Sequence, residues 1–266
     1  MNGGLTGTGL RRALGLALQD GAGFSLGQAL WYLLLAGMAW LAFSVLFRRG
    51  FESRKITPRA PTGRQIAREV LYSLRSLLVF GTVTGFTVLA ALAGWTRLYA
   101  RVEERGWGWF AVSLVLMVFM HDTYFYWTHR LLHHPRLFRA VHRLHHLSTS
   151  PSPWSAYSFS VLEALVQAGI GPLIVFTLPV HDGAFMLFMG WQIAFNVLGH
   201  CGYEIYPRWF LRSRLGAFFN TPTHHSMHHE SFQSNYGIYF NLWDRLMGTN
   251  HPHYEERFAA VTGHAG

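Results

Sequence analysis

One cysteine, Cys201, and one lysine, Lys55, are all that the 266 residues contain of those two types. A lone thiol closes no internal disulfide and builds no cysteine-based metal site, so the redox compartment stays open. Charge is scarce as well. Only 13% of residues are Asp, Glu, Lys or Arg, against about 25% in soluble domains, which argues against one large soluble domain. Acids are the rarer sign, 13 against 22 bases, for a net charge of +9. Such a balance suits nucleic acid or an anionic membrane surface. The arginines flank long apolar runs, so a bilayer is the expected partner and nucleic acid is not. The first 27 residues hold Arg11 and Arg12 but no apolar core with a small-residue cleavage site, so no signal peptide is expected.

Apolar and aromatic residues fill the space that charge leaves. Half the chain is apolar, with 21 Phe, 10 Trp and 11 Tyr, and Trp and Tyr favour membrane interfaces. A helix needs about 20 apolar residues to cross the hydrocarbon core. Gln28–Phe47, Leu77–Trp95 and Trp107–Trp127 meet that length. Phe159–Pro179, with Glu163 and Pro172 inside it, and the short Ala184–Leu198 are expected as two further spans or a shallow hairpin. Gly81, Gly85 and Gly94 would let neighbouring helices approach closely. The expected fold class is all-α, a polytopic membrane bundle with a cytoplasmic, histidine-rich helical cap. The seven basic residues from Arg48 to Arg68 place that loop on the cytoplasmic side. Two returns of the chain then bring residues 129–146 and 224–229 to the same face. The segment 206–219, which mixes arginine with aromatics, reads as an interfacial helix. The last dozen residues read as a tail, with His251, His253 and His264 as bystanders.

Sixteen histidines are far from evenly spread. His129, His133 and His134 form one cluster, His142, His145 and His146 a second, and His224, His225, His228 and His229 a third. His225, His228 and His229 repeat the spacing of His142, His145 and His146. Spacings of three and four place a triplet along one helical side. Isolated histidines are often ordinary surface groups, but a surface role predicts scattered positions. Packed imidazoles repel when protonated, whereas a metal requires them neutral. Imidazole suits Zn, Cu, Fe and Ni, and the supply of ligands is enough for two ions. Few carboxylates stand nearby, unlike the glutamate-rich bundle sites. The clusters also lack the glutamate of an HExxH motif. Ligand chemistry alone leaves both a di-zinc hydrolase and a di-iron oxygenase open. A non-enzymatic membrane metal-binding protein is the third reading, disfavoured because its polar groups would run through the bilayer.

The text DTYFYWTHRLLHHPRLFRAVHRLHH from Asp122, NVLGHCGYE from Asn196, HHSMHHESFQSNYG from His224 and NLWDRLMGT from Asn241 resembles the fatty acid hydroxylase superfamily. That group includes sterol desaturases, sterol C4-methyl oxidases and sphingolipid hydroxylases. The resemblance covers roughly residues 120–250. It implies an O2-dependent, monooxygenase-type oxidoreductase that hydroxylates or desaturates a membrane lipid at a di-iron centre. It implies two Fe ions, O2 as co-substrate, and electrons from a separate reductase, ferredoxin or cytochrome. Carried over by position, the ligands would be His129, His133, His142, His145, His146, His225, His228 and His229, joined by His200. Glu204 stands where some members have a further histidine, and is expected to support a ligand imidazole. His224 is a weaker candidate.

Asp122 lies seven residues before His129, on the same helical face, within an apolar span. A buried carboxylate must be paired, and Asp122 is expected to receive the outer N–H of a ligand histidine. Tyr126 and Trp127 are expected to line the route to the metal or to belong to the interfacial belt. Asn235, Tyr236 and Gly237 are expected to shape a turn over the site, with Trp243 and Asp244 anchoring the cap. The organisation reads as a transmembrane region over 1–119, a catalytic region over 120–250 and a tail over 251–266. The setting suggested by composition is a bacterial inner membrane with the histidines facing the cytoplasm.

Overall fold

A computed structural model describes residues 7–263. The first helix, α1 (Gly7–Trp40), continues through one π-helical segment, Leu41–Leu46. The apolar rod Gly9–Leu46 is 38 residues long. It starts well before the expected span at Gln28. Gly15, Gln19, Asp20, Gly21 and Gly23 interrupt the hydrophobic run, and so disguise a continuous helix. α2 (Gly63–Leu92) begins at Thr62, whose side chain accepts the Gln65 N–H at 3.2 Å. It too starts earlier than expected, and α3 (Gly106–Leu132) completes the three helices among the described residues that are long and apolar enough to cross a bilayer.

α1 and α2 meet through small residues. A Cβ added at Gly21 would lie 2.6 Å from the Gly81 carbonyl oxygen. Ser25 Oγ donates to the Leu77 carbonyl at 3.0 Å across the same crossing. Van der Waals contact between small residues is what joins helices in lipid. Gly94 has no such role. It sits at φ +76°, in the turn after α2. Outward-facing Leu26, Leu30, Leu78 and Phe86 are exposed, as lipid-facing side chains are.

The fourth and fifth expected spans form a broken hairpin. α4 (Val161–Ala168) and α5 (Ile170–Thr177) are separated at Gly169. There Tyr124 Oη donates to the Val166 carbonyl at 2.6 Å and fills the space a side chain at Gly169 would need. α6 (Asp182–Gly199) returns the chain. Among the described residues the sheet content is a two-residue parallel ladder, Leu98–Tyr99 on Val180–His181, so the bundle is all-α in substance.

The basic loop and the histidines share one end of the bundle. Glu204 N–H donates to the Arg54 carbonyl at 2.9 Å, and Arg68 donates to the Leu147 carbonyl at 3.0 Å. The loop Arg97–Arg105 lies at the other end, where Val180 N–H donates to the Arg97 carbonyl. Two expectations fail here. Residues 206–219 form two 3-10 turns, Phe210–Arg212 and Gly216–Phe218, rather than one helix. Gly216 folds back so tightly on the Phe210 carbonyl that a Cβ would not fit. The tail is not loose either. α9 (Tyr254–Thr262), which follows α7 (Pro222–Ser231) and α8 (Leu242–Leu246), buries Tyr254 and Phe258 with Met227. His264 lies outside the described residues.

Candidate metal centre

Four chain segments deliver the histidines. α3 ends at Leu132, so His129 falls in its last turn and His133 caps it. Phe138–His142 is π-helical and His145–Leu147 is a 3-10 turn. The second cluster therefore does not lie along one α-helix, as its spacing had suggested. α6 ends at Gly199 and presents His200 as its C-cap. α7 opens with Thr221, whose hydroxyl accepts the His224 N–H, and Pro222 at its first position.

All nine histidines converge, in two groups. His129, His133, His142, His146 and His228 form one, and His145, His200, His225 and His229 the other. The two repeated triplets are interleaved. His142 and His146 join the first group and His145 the second, while His225 and His229 join the second and His228 the first. Within the first group neighbouring Nε2 atoms lie 3.1 Å (His129–His142), 3.0 Å (His142–His146), 3.1 Å (His146–His133) and 3.1 Å (His133–His228) apart. In the second, the spacings are 2.9 Å (His200–His225), 3.2 Å (His225–His229) and 3.4 Å (His200–His145). The groups adjoin, with the rings of His146 and His229 4.8 Å apart.

The outer nitrogens reveal what this convergence requires. His129 Nδ1 donates to the Tyr236 carbonyl at 2.8 Å, and His228 Nδ1 to the Ser234 carbonyl at 2.7 Å. His200 Nδ1 donates to the Asn196 carbonyl at 2.8 Å. A carbonyl can only accept, so Nδ1 carries the proton, and Nε2 of each neutral ring is a bare lone pair. His142 Nδ1 lies 2.7 Å from Glu163 Oε1, which fixes the same tautomer. Bare lone pairs facing each other at about 3 Å repel unless a cation lies among them. Metal–imidazole bonds of about 2.0–2.1 Å place adjacent ligand nitrogens about 3 Å apart, so the donor set fits a metal ion in each group. Protonation supplies no alternative cation near neutrality. Burial, then the neighbouring imidazoles, hold His142, His145, His146, His225, His228 and His229 well below the usual histidine value. Burial lowers His200 to about 4 and, with His129 beside it, lowers His133 to about 2.

Glu163 was the residue missed. The sequence signal was present: Ser160-Val-Leu-Glu163 has capping-box spacing, and Glu163 is an acid in an otherwise apolar run. Ser160 accepts the Glu163 N–H at 3.1 Å, which starts α4 and aims the carboxylate at His142. Asp122 does not fill the role expected of it. Its Oδ1 accepts the Tyr239 and Phe240 N–H groups at 2.9 and 3.0 Å, tying α3 to the cap. Glu204 also touches no imidazole in either group. It accepts from Tyr206 N–H at 3.0 Å and from Thr223 N–H at 3.1 Å, and so fixes the start of α7.

Tyr126 stacks on Trp243 and its Oη lies 2.9 Å from Thr249 Oγ1, away from the nine imidazoles. Asn235, at φ 60°, donates to the His224 carbonyl and accepts the His251 N–H at 2.7 Å. It shapes the turn that offers the Ser234 and Tyr236 carbonyls. Asp244 secures that turn by accepting the Tyr236 and Gly237 N–H groups. His134 is exposed, and the buried His224 lies 3.7 Å from Asp244, so both stand outside the two groups. His251 and His253 also stand apart from them.

An apolar cavity of about 720 Å³ runs between α1, α2 and α6. Its inner end is closed by Phe125 and Phe159, whose rings lie 4.9 Å from His129 and 5.2 Å from His145.

The fold and the site together define a membrane protein with paired, metal-ready histidine groups beside the closed end of an apolar chamber. The family model described as fatty acid hydroxylase matches residues 114–249, and the chain belongs to this fatty acid hydroxylase and sterol desaturase superfamily. It is similar to a Delta(7)-sterol 5(6)-desaturase of Gibberella zeae, with 34% identity across 86% of this chain and 67% of the relative. A second such desaturase, of Aspergillus fumigatus, is 30% identical across 70% of this chain and 63% of its own length. The lathosterol oxidase of Mus musculus is 32% identical across 71% and 62% respectively. The chain thus spans about two thirds of the length of these relatives. No solved structure matches it. The family and the histidine groups support a metal-dependent oxidoreductase.

Proposed function

We propose that the chain oxidises a C–H bond of a membrane lipid with O2 at a histidine-held di-iron centre. The observation that carries this is the convergence of nine Nε2 atoms, spaced 2.9–3.4 Å, at the closed end of an apolar cavity. His129, His133, His142, His146 and His228 would hold one iron, and His145, His200, His225 and His229 the other. Bound iron supplies the O2 activation that no amino-acid side chain provides. Two electrons and two protons are needed. Hydroxylation converts a lipid C–H, O2, two electrons and two protons into an alcohol and water. Desaturation uses the same inputs, removes two hydrogens and yields an alkene and two waters.

The chain's own part is orientation and exclusion. Glu163 and the 234–236 carbonyls hold the rings in one tautomer, with Nε2 inward. Phe125 and Phe159 separate the metal-facing imidazoles from the cavity and place the lipid carbon against them. The cavity lies within the size range of small-molecule sites, about 300–1,000 Å³. Sterol is the favoured substrate class, because the relatives carry that word in their names. A separate reductase, ferredoxin or cytochrome delivers the electrons, and the basic loop at the histidine end favours a cytoplasmic site. The test is product analysis under ¹⁸O2 with metal analysis of the purified protein. A zinc-dependent lipid hydrolase would contain zinc and consume no O2.

A further inference from the structure

The cavity wall has a chemistry that oxidation does not use. None of its lining side chains is a lysine or arginine, although the chain carries 22 of them. An anionic headgroup finds no counter-charge there. Polar groups are present all the same. Gln28 on α1 is 3% exposed, lines the cavity, and its Oε1 is buried without a hydrogen-bond partner among the described residues. An unpaired amide at bilayer depth is costly, which points to a partner that the lipid itself brings. His121 on α3 is 4% exposed and lines the same cavity. Its Nδ1 lies 2.8 Å from Tyr239 Oη, and its other ring nitrogen bonds nothing among the described residues.

Their placement is informative. Gln28 stands one turn before Tyr32, whose ring packs 6.1 Å from Tyr157. The C-terminal end of α1 leads to the histidine end, so Gln28 lies deeper in the bilayer than Tyr32. On α6 the residues Phe188, Gln192, Asn196 and His200 recur every four positions, on one face. His121 packs on Phe188 at 5.6 Å, and Asn196 already holds His200. At 1.5 Å per residue, Phe188 lies about 18 Å along the axis from His200. A polar atom read at this depth is remote from the carbon that reacts.

We propose that Gln28, with His121 as a second polar contact, hydrogen-bonds the hydroxyl of a neutral lipid held in this cavity, and so selects alcohol-bearing lipids over hydrocarbons and phospholipids. A hydroxyl donates and accepts. It satisfies the carboxamide in either orientation and the imidazole in either tautomer, whereas an ether or ester oxygen only accepts. The proposal rests on the cavity being the substrate chamber.

Equilibrium binding to the purified full-length protein in nanodiscs tests it without turnover. The probes are two labelled pairs, a sterol with its 3-deoxy counterpart and octadecan-1-ol with octadecane. The wild type is expected to bind the alcohol of at least one pair about tenfold more tightly than its deoxy partner. Gln28→Leu brings that preference to within about twofold and leaves binding of the deoxy probe unchanged. His121→Phe lowers it by a smaller factor. Equal binding within both pairs by the wild type overturns the proposal, whether or not the variants fold. So does an undiminished preference in Gln28→Leu. A clear preference with no O2 consumed and neither alcohol nor alkene formed would sink the oxidation reading and leave this one standing.

Discussion

The two histidine groups are built from the same residue type at the same spacing, yet they are held differently. In the first, three of five outer nitrogens are tied down: His129 to Tyr236, His228 to Ser234 and His142 to Glu163. In the second, His200 is tied to Asn196, and the outer nitrogen of His229, like that of His146 in the first, is buried without a hydrogen-bond partner among the described residues. A buried carboxylate is present only on the first. Ring orientation and ligand basicity follow from such outer bonds. The first group is therefore the more firmly held, with five imidazoles and a buried carboxyl partner, and the second the looser, with four.

The largest effects come from removing a ligand. His228→Ala from the first group and His145→Ala from the second should each abolish product, by more than about 100-fold. Each should leave about one iron per chain, read by elemental analysis beside product assay. Retention of both irons and of product in either variant would make the group assignment wrong. Glu163→Ala strips the first group of its carboxylate. Metal affinity there should fall about 10–100-fold, seen as one iron released early to a chelator. If both irons leave at the unmutated rate, the two groups do not differ in the way described.

Acid should act next. The buried imidazoles have folded values below the ordinary 6.5, with His200 at about 4 and His133 at about 2. The unfolded chain then binds protons before the folded one does. The metal-free protein should hold a constant Tm above about pH 7.5 and lose stability progressively as pH falls below about 6.5. A Tm flat from pH 7.5 to 5 contradicts the neutral, buried state of these rings. The smallest effect concerns the membrane half. Gly81→Val should cost about 1–3 kcal/mol by overpacking the α1–α2 crossing, while the iron bound per folded chain stays unchanged. Loss of iron in step with stability would show that the cap depends on that crossing.

Much of this was readable before the structure. Histidine spacing located eight of the nine converging imidazoles within three clusters, the family resemblance added His200, and charge placed the clusters at one end. What spacing could not give was the interleaving of the two triplets. It depends on the π and 3-10 turns around His142 and His145, which no helical period describes. Asp122 and Glu163 exchanged expectations for a related reason. Proximity in sequence favoured Asp122 beside His129, but its face meets the backbone of Tyr239 and Phe240. Glu163 reads as a flaw in an apolar span, when its carboxyl is what the outer nitrogen of His142 meets. The polar residues that hid the start of α1 include Gln19 and Asp20, which line the cavity. A polar interruption in a spanning pattern here marks an inner wall, and hydropathy alone cannot separate that from a loop.

The most direct test counts and identifies the metal in the intact, anaerobically purified protein. The account predicts two irons per chain, one for each histidine group, and product that forms only when O2 and an electron donor are supplied. A single ion per chain, or two zinc ions with no O2 consumed, would contradict it.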